Sequence, residues 1–90
     1  MAACRSSGVL TASAVVFTGQ CKLISIHATA IATATTIKVF DGIDNTGKEV
    51  ARLILASNQT IEFDMHGVIC SEGLYVAQVV GAMAVSIEYA

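Results

Sequence analysis

The sequence predicts an all-β fold: an antiparallel β-sandwich, jelly-roll-like, with seven to eight short strands and no significant helix. Two observations favour this class. Short runs in which apolar and polar residues alternate recur about every 8–12 residues, and segments rich in Gly, Ser, Asn and Asp separate them. No convincing helical periodicity accompanies them, and this strand spacing is typical of sandwiches and jelly rolls.

The chain is predicted to consist of an arm and one domain. Residues 1–7, MAACRSS, show no periodicity and are predicted to form an N-terminal arm. Residues 8–90 are predicted to form a single β-sandwich domain, because chains usually divide into several cores only beyond about 200 residues. A domain this small buries about 60–65% of the surface of its unfolded chain, so its own core gives modest stability.

The first part of the domain is predicted to contain three strands. Short strands are expected at Gly8–Thr11 and Ala14–Phe17, followed by a turn at Thr18–Gln20. Cys21–Thr29 is the third strand, and its alternation changes phase next to Leu23. That change predicts either a β-bulge or a strand that passes from one sheet to the other.

The middle of the chain contains one clean strand between two irregular segments. Residues 30–35 form an Ala/Thr segment, predicted to be a flat loop or a contact strand because Ala and Thr favour different structures. Residues 42–48, GIDNTGK, are rich in turn formers and are expected to be an exposed hairpin loop. The strand between them, Thr36–Asp41, has two faces: Ile37 with Val39, and Lys38 with Phe40.

A hairpin is predicted from Glu49–Ala56 and Thr60–Met65. A two-residue connecting loop mixes apolar and polar faces. A three-residue loop at residues 57–59 instead sets apolar side chains opposite one another, with Arg52 opposite Asp64 on the outer face. Matching the faces therefore favours the longer loop.

A second hairpin is predicted at the end of the chain, from Leu74 to Tyr89. Gly81 and Ala82 are its two-residue loop, with Gly at the position where a type II′ turn requires positive φ. This loop places Val80 opposite Met83 and makes one face almost wholly apolar.

The composition predicts that other protein covers part of the surface. Hydrophobic residues make up 54% of the chain and charged residues 13%, with a mean hydropathy of +0.70, whereas about 25% charged residues is typical. A monomer of this mass should expose roughly 5,000 Å², or about 400 Å² per charged residue. Charge this sparse is unusual for a free surface.

Membrane and nucleic-acid partners are not expected. The longest strongly apolar run, Leu74–Val85, contains Gln78 and Gly81 and is shorter than the about 18–20 residues of a spanning helix. Polar residues interrupt the apolar patch after Arg5, which argues against an export signal. A net charge of −2 and a pI near 5.5 give no basic stripe for nucleic acid.

The three cysteines, Cys4, Cys21 and Cys70, are widely spaced and form no CxxC motif. We expect three free thiols in a reducing compartment, with Cys21 and Cys70 packed as small hydrophobic residues. The alternative is one disulfide and one free thiol.

No catalytic residue, metal ligand or cofactor is predicted. The Cys and His spacings match no compact zinc framework. Glu62 and Asp64 share one strand face, which alternation turns toward solvent. Asp41 and Asp44 lie in a turn-rich segment that lacks the spacing of a calcium-binding loop. The chain is therefore predicted not to be an enzyme.

Three segments carry a resemblance to a known class of protein: MAACRSSGVLTASAVVFTG, TTIKVFDGIDNTGKEVARLIL, and GLYV with AVSIEY near the end. Together they resemble the small all-β structural proteins of tailed bacteriophage virions, including capsid decoration (cement) proteins. The resemblance implies a virion protein, assembled in the host cytoplasm, that binds the major capsid protein or another virion protein. It also implies a homo-oligomer, either a trimer or a dimer.

Our first hypothesis is thus a non-enzymatic, self-associating virion protein that stabilises a capsid surface. Its candidate interface residues lie in the arm, in the Ala/Thr segment and among outward apolar positions: Ala2, Ala3, Cys4, Arg5, Ile31, Thr33, Thr35, Phe40, Val50, Ile54 and Val79.

Two other hypotheses remain open. One is a tail- or fibre-associated binding module, with carbohydrate as its candidate ligand, that uses the loop at residues 42–48. The absence of Trp argues against it, because sugar sites usually use aromatic faces. The other is an enzyme working across a subunit seam, whose signature is His27 or His66 beside carboxylates of a neighbour.

Overall fold

A computed structural model describes residues 4–31 and 33–90 and confirms the all-β class. Eight strands form two four-stranded antiparallel sheets that pack as a sandwich. Over the described residues, no helix is long and apolar enough to cross a membrane. The strands are β1 (Arg5–Ser6), β2 (Ala14–Thr18), β3 (Cys21–Ala30), β4 (Thr35–Asp41), β5 (Lys48–Leu55), β6 (Thr60–Cys70), β7 (Gly73–Val80) and β8 (Met83–Tyr89).

The chain passes between the sheets at nearly every connection. Sheet A has the order β1-β8-β3-β6, and sheet B has the order β2-β7-β4-β5. Among the eight described strands, β4 and β5 are the one consecutive pair that shares a sheet. Their hairpin, with Asp41 opposite Lys48, confirms the exposed loop predicted after Asp41. In that loop the Asp44 carboxylate accepts a hydrogen bond from the backbone N–H of Thr46 at 2.9 Å.

The predicted hairpin from Leu74 to Tyr89 is wrong. β7 pairs with β2 and β4 in sheet B, whereas β8 pairs with β1 and β3 in sheet A. Gly81, at a φ of 81°, therefore lies where the chain crosses between sheets. This arrangement lets the apolar faces of the two strands meet across the core instead of lying side by side.

The predicted hairpin between Glu49 and Met65 is wrong for the same reason. β5 belongs to sheet B and β6 to sheet A, so residues 56–59 span the gap of about 10 Å between packed sheets. Arg52 lies opposite Lys38, not opposite Asp64. Asp64 lies opposite Ser25 of β3.

Several local predictions have mixed outcomes. The phase change beside Leu23 is a β-bulge, because both pairings of β3 shift register between Leu23 and Ser25. Gly8–Thr11 is not a strand, since Leu10 alone makes an isolated bridge, to Val85. Within the described part of the predicted arm, Arg5 and Ser6 pair with the end of β8 at the edge of sheet A.

The core lies between the two sheets and is filled by aliphatic side chains. The accessible surface of the whole molecule is 4879 Å², which agrees with the roughly 5,000 Å² expected for a monomer of this mass. The molecule is flat, 33 × 31 × 17 Å. The largest fully buried apolar side chains are Leu23, Ile26, Ile37, Leu55, Leu74, Met83, Ile87, Val39, Val76 and Val85.

Candidate functional site

The outer face of sheet B carries several apolar side chains, with the charged Lys38 and Arg52 among them. On β4, β5 and β7, residues next to buried core positions point away from sheet A, as strand alternation requires. Val15 of the edge strand β2 lies opposite Tyr75 and extends the same surface. We call this surface the apolar face; its members are Val15, Phe40, Ile54, Tyr75, Ala77 and Val79.

Three members of the apolar face are well exposed: Ile54 at 72%, Val79 at 48% and Val15 at 45%. A shallow depression of about 350 Å³ lies beside Val79, and its lining includes Lys38, Phe40, Tyr75 and Ala77. Exposed aliphatic groups next to a concave surface are a common feature of protein-binding sites. The apolar face can therefore bury apolar area against another protein.

The Phe40 and Tyr75 rings both line this depression and contact each other. Their centroids are 6.3 Å apart at an interplanar angle of 61°, an edge-to-face contact. Phe40 is only 6% exposed. The prediction that Phe40 faces outward is therefore correct in direction, but its side chain offers little area to a partner.

Charged side chains interrupt the apolar face, because Lys38 and Arg52 oppose each other on the outer side of β4 and β5. The Arg52 guanidinium donates two hydrogen bonds to the Glu49 carboxylate, from Nε at 2.8 Å and from Nη2 at 3.0 Å. The hydrogen bond from Arg52 holds the pKa of Glu49 below its ordinary value, and the nearby Lys38 contributes to the same shift. With two cations and one anion, this surface carries a small positive excess.

The outer face of sheet A is polar, in contrast. Its centre is His27, whose Nε2 lies 2.5 Å from Oε1 of Glu88 and 3.6 Å from Oε2 of Glu62. Ser25 Oγ donates to Oε1 of Glu88 at 2.6 Å, and Ser86 Oγ donates to Oε2 at 3.3 Å. Adjacent strands β6, β3 and β8 thus bring together groups that are far apart in the sequence.

Glu88 accepts hydrogen bonds from most of this cluster. Partial burial raises its pKa, but hydrogen bonds from Ser25 and His27 outweigh burial, so the pKa is lowered. The Ser25 hydroxyl donates to the carboxylate and not to His27, which leaves the imidazole unavailable to activate it as a nucleophile. The Glu88 carboxylate is thus held by three hydrogen-bond donors.

The other acidic residues that the sequence analysis considered and rejected as sites contact the backbone or face solvent. The Asp41 carboxylate accepts hydrogen bonds from the backbone N–H groups of Ser71 at 3.0 Å and Glu72 at 2.9 Å. Glu62 and Asp64 have exposed side chains, which confirms their predicted outward direction. In residues 4–31 and 33–90, no group of three His, Cys, Asp or Glu side chains is arranged to hold a metal ion.

The structure places three of the predicted interface residues, Phe40, Ile54 and Val79, on the outer face of sheet B. Phe40 and Val79 line the same depression, whereas the opposed Lys38 and Arg52 separate Ile54 from Phe40. Val50 lies at a bulge of β5 and packs partly against the core. Ile31 and Thr33 are exposed in the connection between β3 and β4, at one end of the sandwich.

The remaining predicted interface residues lie elsewhere. Cys4 and Arg5 are exposed at the edge of sheet A, where the Arg5 guanidinium lies 5.9 Å from the Phe17 ring. Ala2 and Ala3 lie outside the described residues. Thr35 is a correction: it is 1% exposed and its hydroxyl is bonded to backbone carbonyl groups, so it has no free surface to offer.

Sequence reasoning missed three members of the apolar face: Val15, Tyr75 and Ala77. Val15 lies on the edge strand β2, for which no partner strand was predicted. The wrong pairing of β7 with β8 gave Tyr75 and Ala77 the wrong neighbours. Their alternation with the apolar residues Leu74 and Val76 was the available signal. Other exposed large hydrophobic residues that were not among the predicted interface residues are Val9, Ile43, Phe63 and Ile69.

No model of a protein family, no curated protein and no solved structure matches the chain.

Proposed function

We propose that this chain is a non-enzymatic structural protein of a bacteriophage virion, which self-associates and binds a capsid surface through the apolar face. Assembly in the host cytoplasm and a trimeric or dimeric state belong to the same proposal. One observation carries it: the two outer faces of the sandwich differ in polarity, with exposed Ile54 and Val79 on one side and the His27 cluster on the other.

The energetics support binding through repeated small contacts. Each fully buried aliphatic side chain contributes roughly 1.5–3 kcal/mol to binding. The loss of translational and rotational freedom when two proteins associate costs roughly 4–15 kcal/mol. A single apolar face of this size therefore gives weak binding. A symmetric oligomer presents several copies of the apolar face at once, so the binding free energies of the weak contacts add when the oligomer attaches to a lattice.

The charges beside the apolar face indicate the chemistry of the partner surface. Lys38 and Arg52 lie next to the apolar residues, and Glu49 already neutralises part of this charge. A complementary surface presents apolar groups surrounded by one or more carboxylates.

The proposal is tested by adding charge to the apolar face. Ile54→Lys and Val79→Lys are compared with the control variant Ile69→Lys. Ile69 lies in sheet A, and 57% of it is exposed. Light scattering gives the mass in solution, and co-sedimentation measures binding to tailed-phage capsids prepared without decoration protein. We expect the first two variants to lose association and Ile69→Lys to retain it.

Two results would overturn the proposal. One is a wild-type protein that stays monomeric at micromolar concentration and does not sediment with capsids. The other is loss of association to the same degree in all three variants, which shows that the apolar face is not the contact.

A specific observation supports the tail- or fibre-associated alternative. A depression of about 470 Å³ next to the β4–β5 loop is lined by polar groups that include Asp44, Thr46 and Glu72. The carboxylates of Asp44 and Glu72 and the hydroxyl of Thr46 can form hydrogen bonds with the hydroxyl groups of a carbohydrate. Glycan-array binding that disappears when residues 42–47 are replaced by a short Gly/Ser loop supports this alternative; an array without signal rejects it.

A further inference from the structure

Two of the three cysteines lie opposite each other on neighbouring strands of sheet A. Cys21 of β3 lies directly opposite Cys70 of β6 in the antiparallel register. Opposed residues of an antiparallel pair have Cα atoms about 4.5 or 5.5 Å apart, and disulfides span Cα separations of about 4.4–6.8 Å. The two thiols also influence each other's pKa, as expected of close neighbours.

We propose that Cys21 and Cys70 form a covalent modification site, which a low-molecular-weight disulfide such as oxidised glutathione converts into an intrachain disulfide. The pair is distinct from both outer faces, because Cys21 is 4% exposed and Cys70 is completely buried.

The reaction proceeds by two thiol–disulfide exchanges. The Cys21 thiolate attacks one sulfur of oxidised glutathione, forming a mixed disulfide and releasing the first glutathione thiolate. The Cys70 thiolate then attacks the Cys21 sulfur, forming the protein disulfide and releasing the second glutathione thiolate. The two cysteines lose two electrons and two protons, and one oxidised glutathione becomes two reduced glutathiones.

Access and reactivity make Cys21 the entry point. A surface cavity of about 290 Å³ is lined by Cys21, Lys22 and Ile69, among others, and not by Cys70. Burial raises the pKa of both thiols, and the neighbouring Cys21 and Asp41 help raise that of Cys70 to about 11. Because the thiolate is the reactive form, oxidation is slow at neutral pH and accelerates as the pH rises.

The cross-link has a structural consequence for sheet A. β6 is an edge strand whose one strand partner in the described chain is β3. A bridge between them closes a loop of about 50 residues, which stabilises a protein mainly by restricting its unfolded state. Cys4 is exposed next to β1, at the opposite edge of the sheet, and takes no part.

The test treats the native full chain with oxidised glutathione at pH 8, blocks remaining thiols, and maps the peptides by mass spectrometry. We expect a Cys21–Cys70 cross-linked peptide, a mass loss of two hydrogen atoms, and a melting temperature raised by about 10 °C or more. Cys4→Ser should give the same cross-link, while Cys21→Ser and Cys70→Ser should give none.

Peptide mapping of the wild-type chain decides the result even if a Cys variant folds poorly. The proposal is overturned if Cys21 and Cys70 remain free thiols while Cys4 is glutathionylated. It is also overturned if either buried cysteine pairs with Cys4, or if the cross-link forms without any change in melting temperature.

Discussion

The hydroxyl of Thr35 donates a hydrogen bond to the backbone carbonyl oxygen of Ala82 at a distance of 2.8 Å. Thr35 begins β4 in sheet B, and Ala82 lies in the crossover from β7 to β8. The same carbonyl accepts a second hydrogen bond, from the backbone N–H of Ile31 at 3.0 Å. These hydrogen bonds therefore connect the β3–β4 crossover to the β7–β8 crossover at one end of the sandwich.

The first prediction concerns this contact. Thr35→Val keeps the shape of the side chain but removes the donor to Ala82, and it should lower the free energy of unfolding by about 1–2 kcal/mol. Thr36→Val makes the same chemical change at a half-buried position on the opposite face of β4, and should change stability by less than about 0.5 kcal/mol. Urea denaturation compares them; equal effects would contradict the role of the hydrogen bond.

The second prediction concerns the β7–β8 crossover itself. Gly81 has a φ of 81°, and a methyl group there would collide with the carbonyl oxygen of Ala34 and lie 2.6 Å from the Thr35 hydroxyl. Gly8 has a similar φ, 71°, but a methyl group there meets nothing within 4 Å. Gly8→Ala should cost about 1 kcal/mol through backbone strain, and Gly81→Ala about 3 kcal/mol or more.

Thermal denaturation of the two glycine variants provides the measurement. Because backbone strain is nearly the same at both positions, the difference between them reports the steric contact at the crossover. A Gly81→Ala protein as stable as Gly8→Ala would show that residues 81 and 82 do not pass close to the start of β4.

The third prediction is a pH dependence caused by Asp41. Hydrogen bonds from the backbone N–H groups of Glu72 and Ser71 lower the pKa of its carboxyl below the ordinary value of 3.8. The carboxylate therefore contributes stability that is complete above the unfolded pKa and is lost as the pH falls through the folded pKa. Asp41→Asn should be less stable than wild type at pH 7.

Urea denaturation of wild type and Asp41→Asn between pH 2 and pH 7 tests this dependence. The difference in free energy of unfolding should be constant above about pH 5 and should shrink below about pH 4. Other carboxylates titrate in both proteins, so they cancel in the difference. A difference that stays constant down to pH 2 would contradict the assignment to Asp41.

The fourth prediction concerns the polar cluster of sheet A. Ser25→Ala removes the hydroxyl that donates to Glu88 at 2.6 Å, so the pKa of Glu88 should rise. Thr29→Val removes a hydroxyl from the same strand that contacts Thr60 and not Glu88, so it should leave the pKa of Glu88 in place. Carboxyl-carbon NMR titration measures both; an unchanged Glu88 in Ser25→Ala would refute the hydrogen bond.

Local pattern determined much of this fold. Alternation with a period of two residues identified most strands, the irregularity beside Leu23 and the inward direction of Ile37 and Val39, because each depends on neighbours in the sequence. The loop after Asp41 was also predictable, since its Gly, Asn and Asp residues favour a turn whatever the rest of the chain does.

Partner choice was decided only by the tertiary structure. A two-residue connection such as Gly81-Ala82 suits either a hairpin or a crossing between sheets, and alternation in the two flanking strands is the same in both cases. What selects the crossing is the burial of both apolar strand faces against each other, a long-range term with no local signal. The same long-range packing buried Thr35 and brought Cys21 to Cys70 and His27 to Glu88.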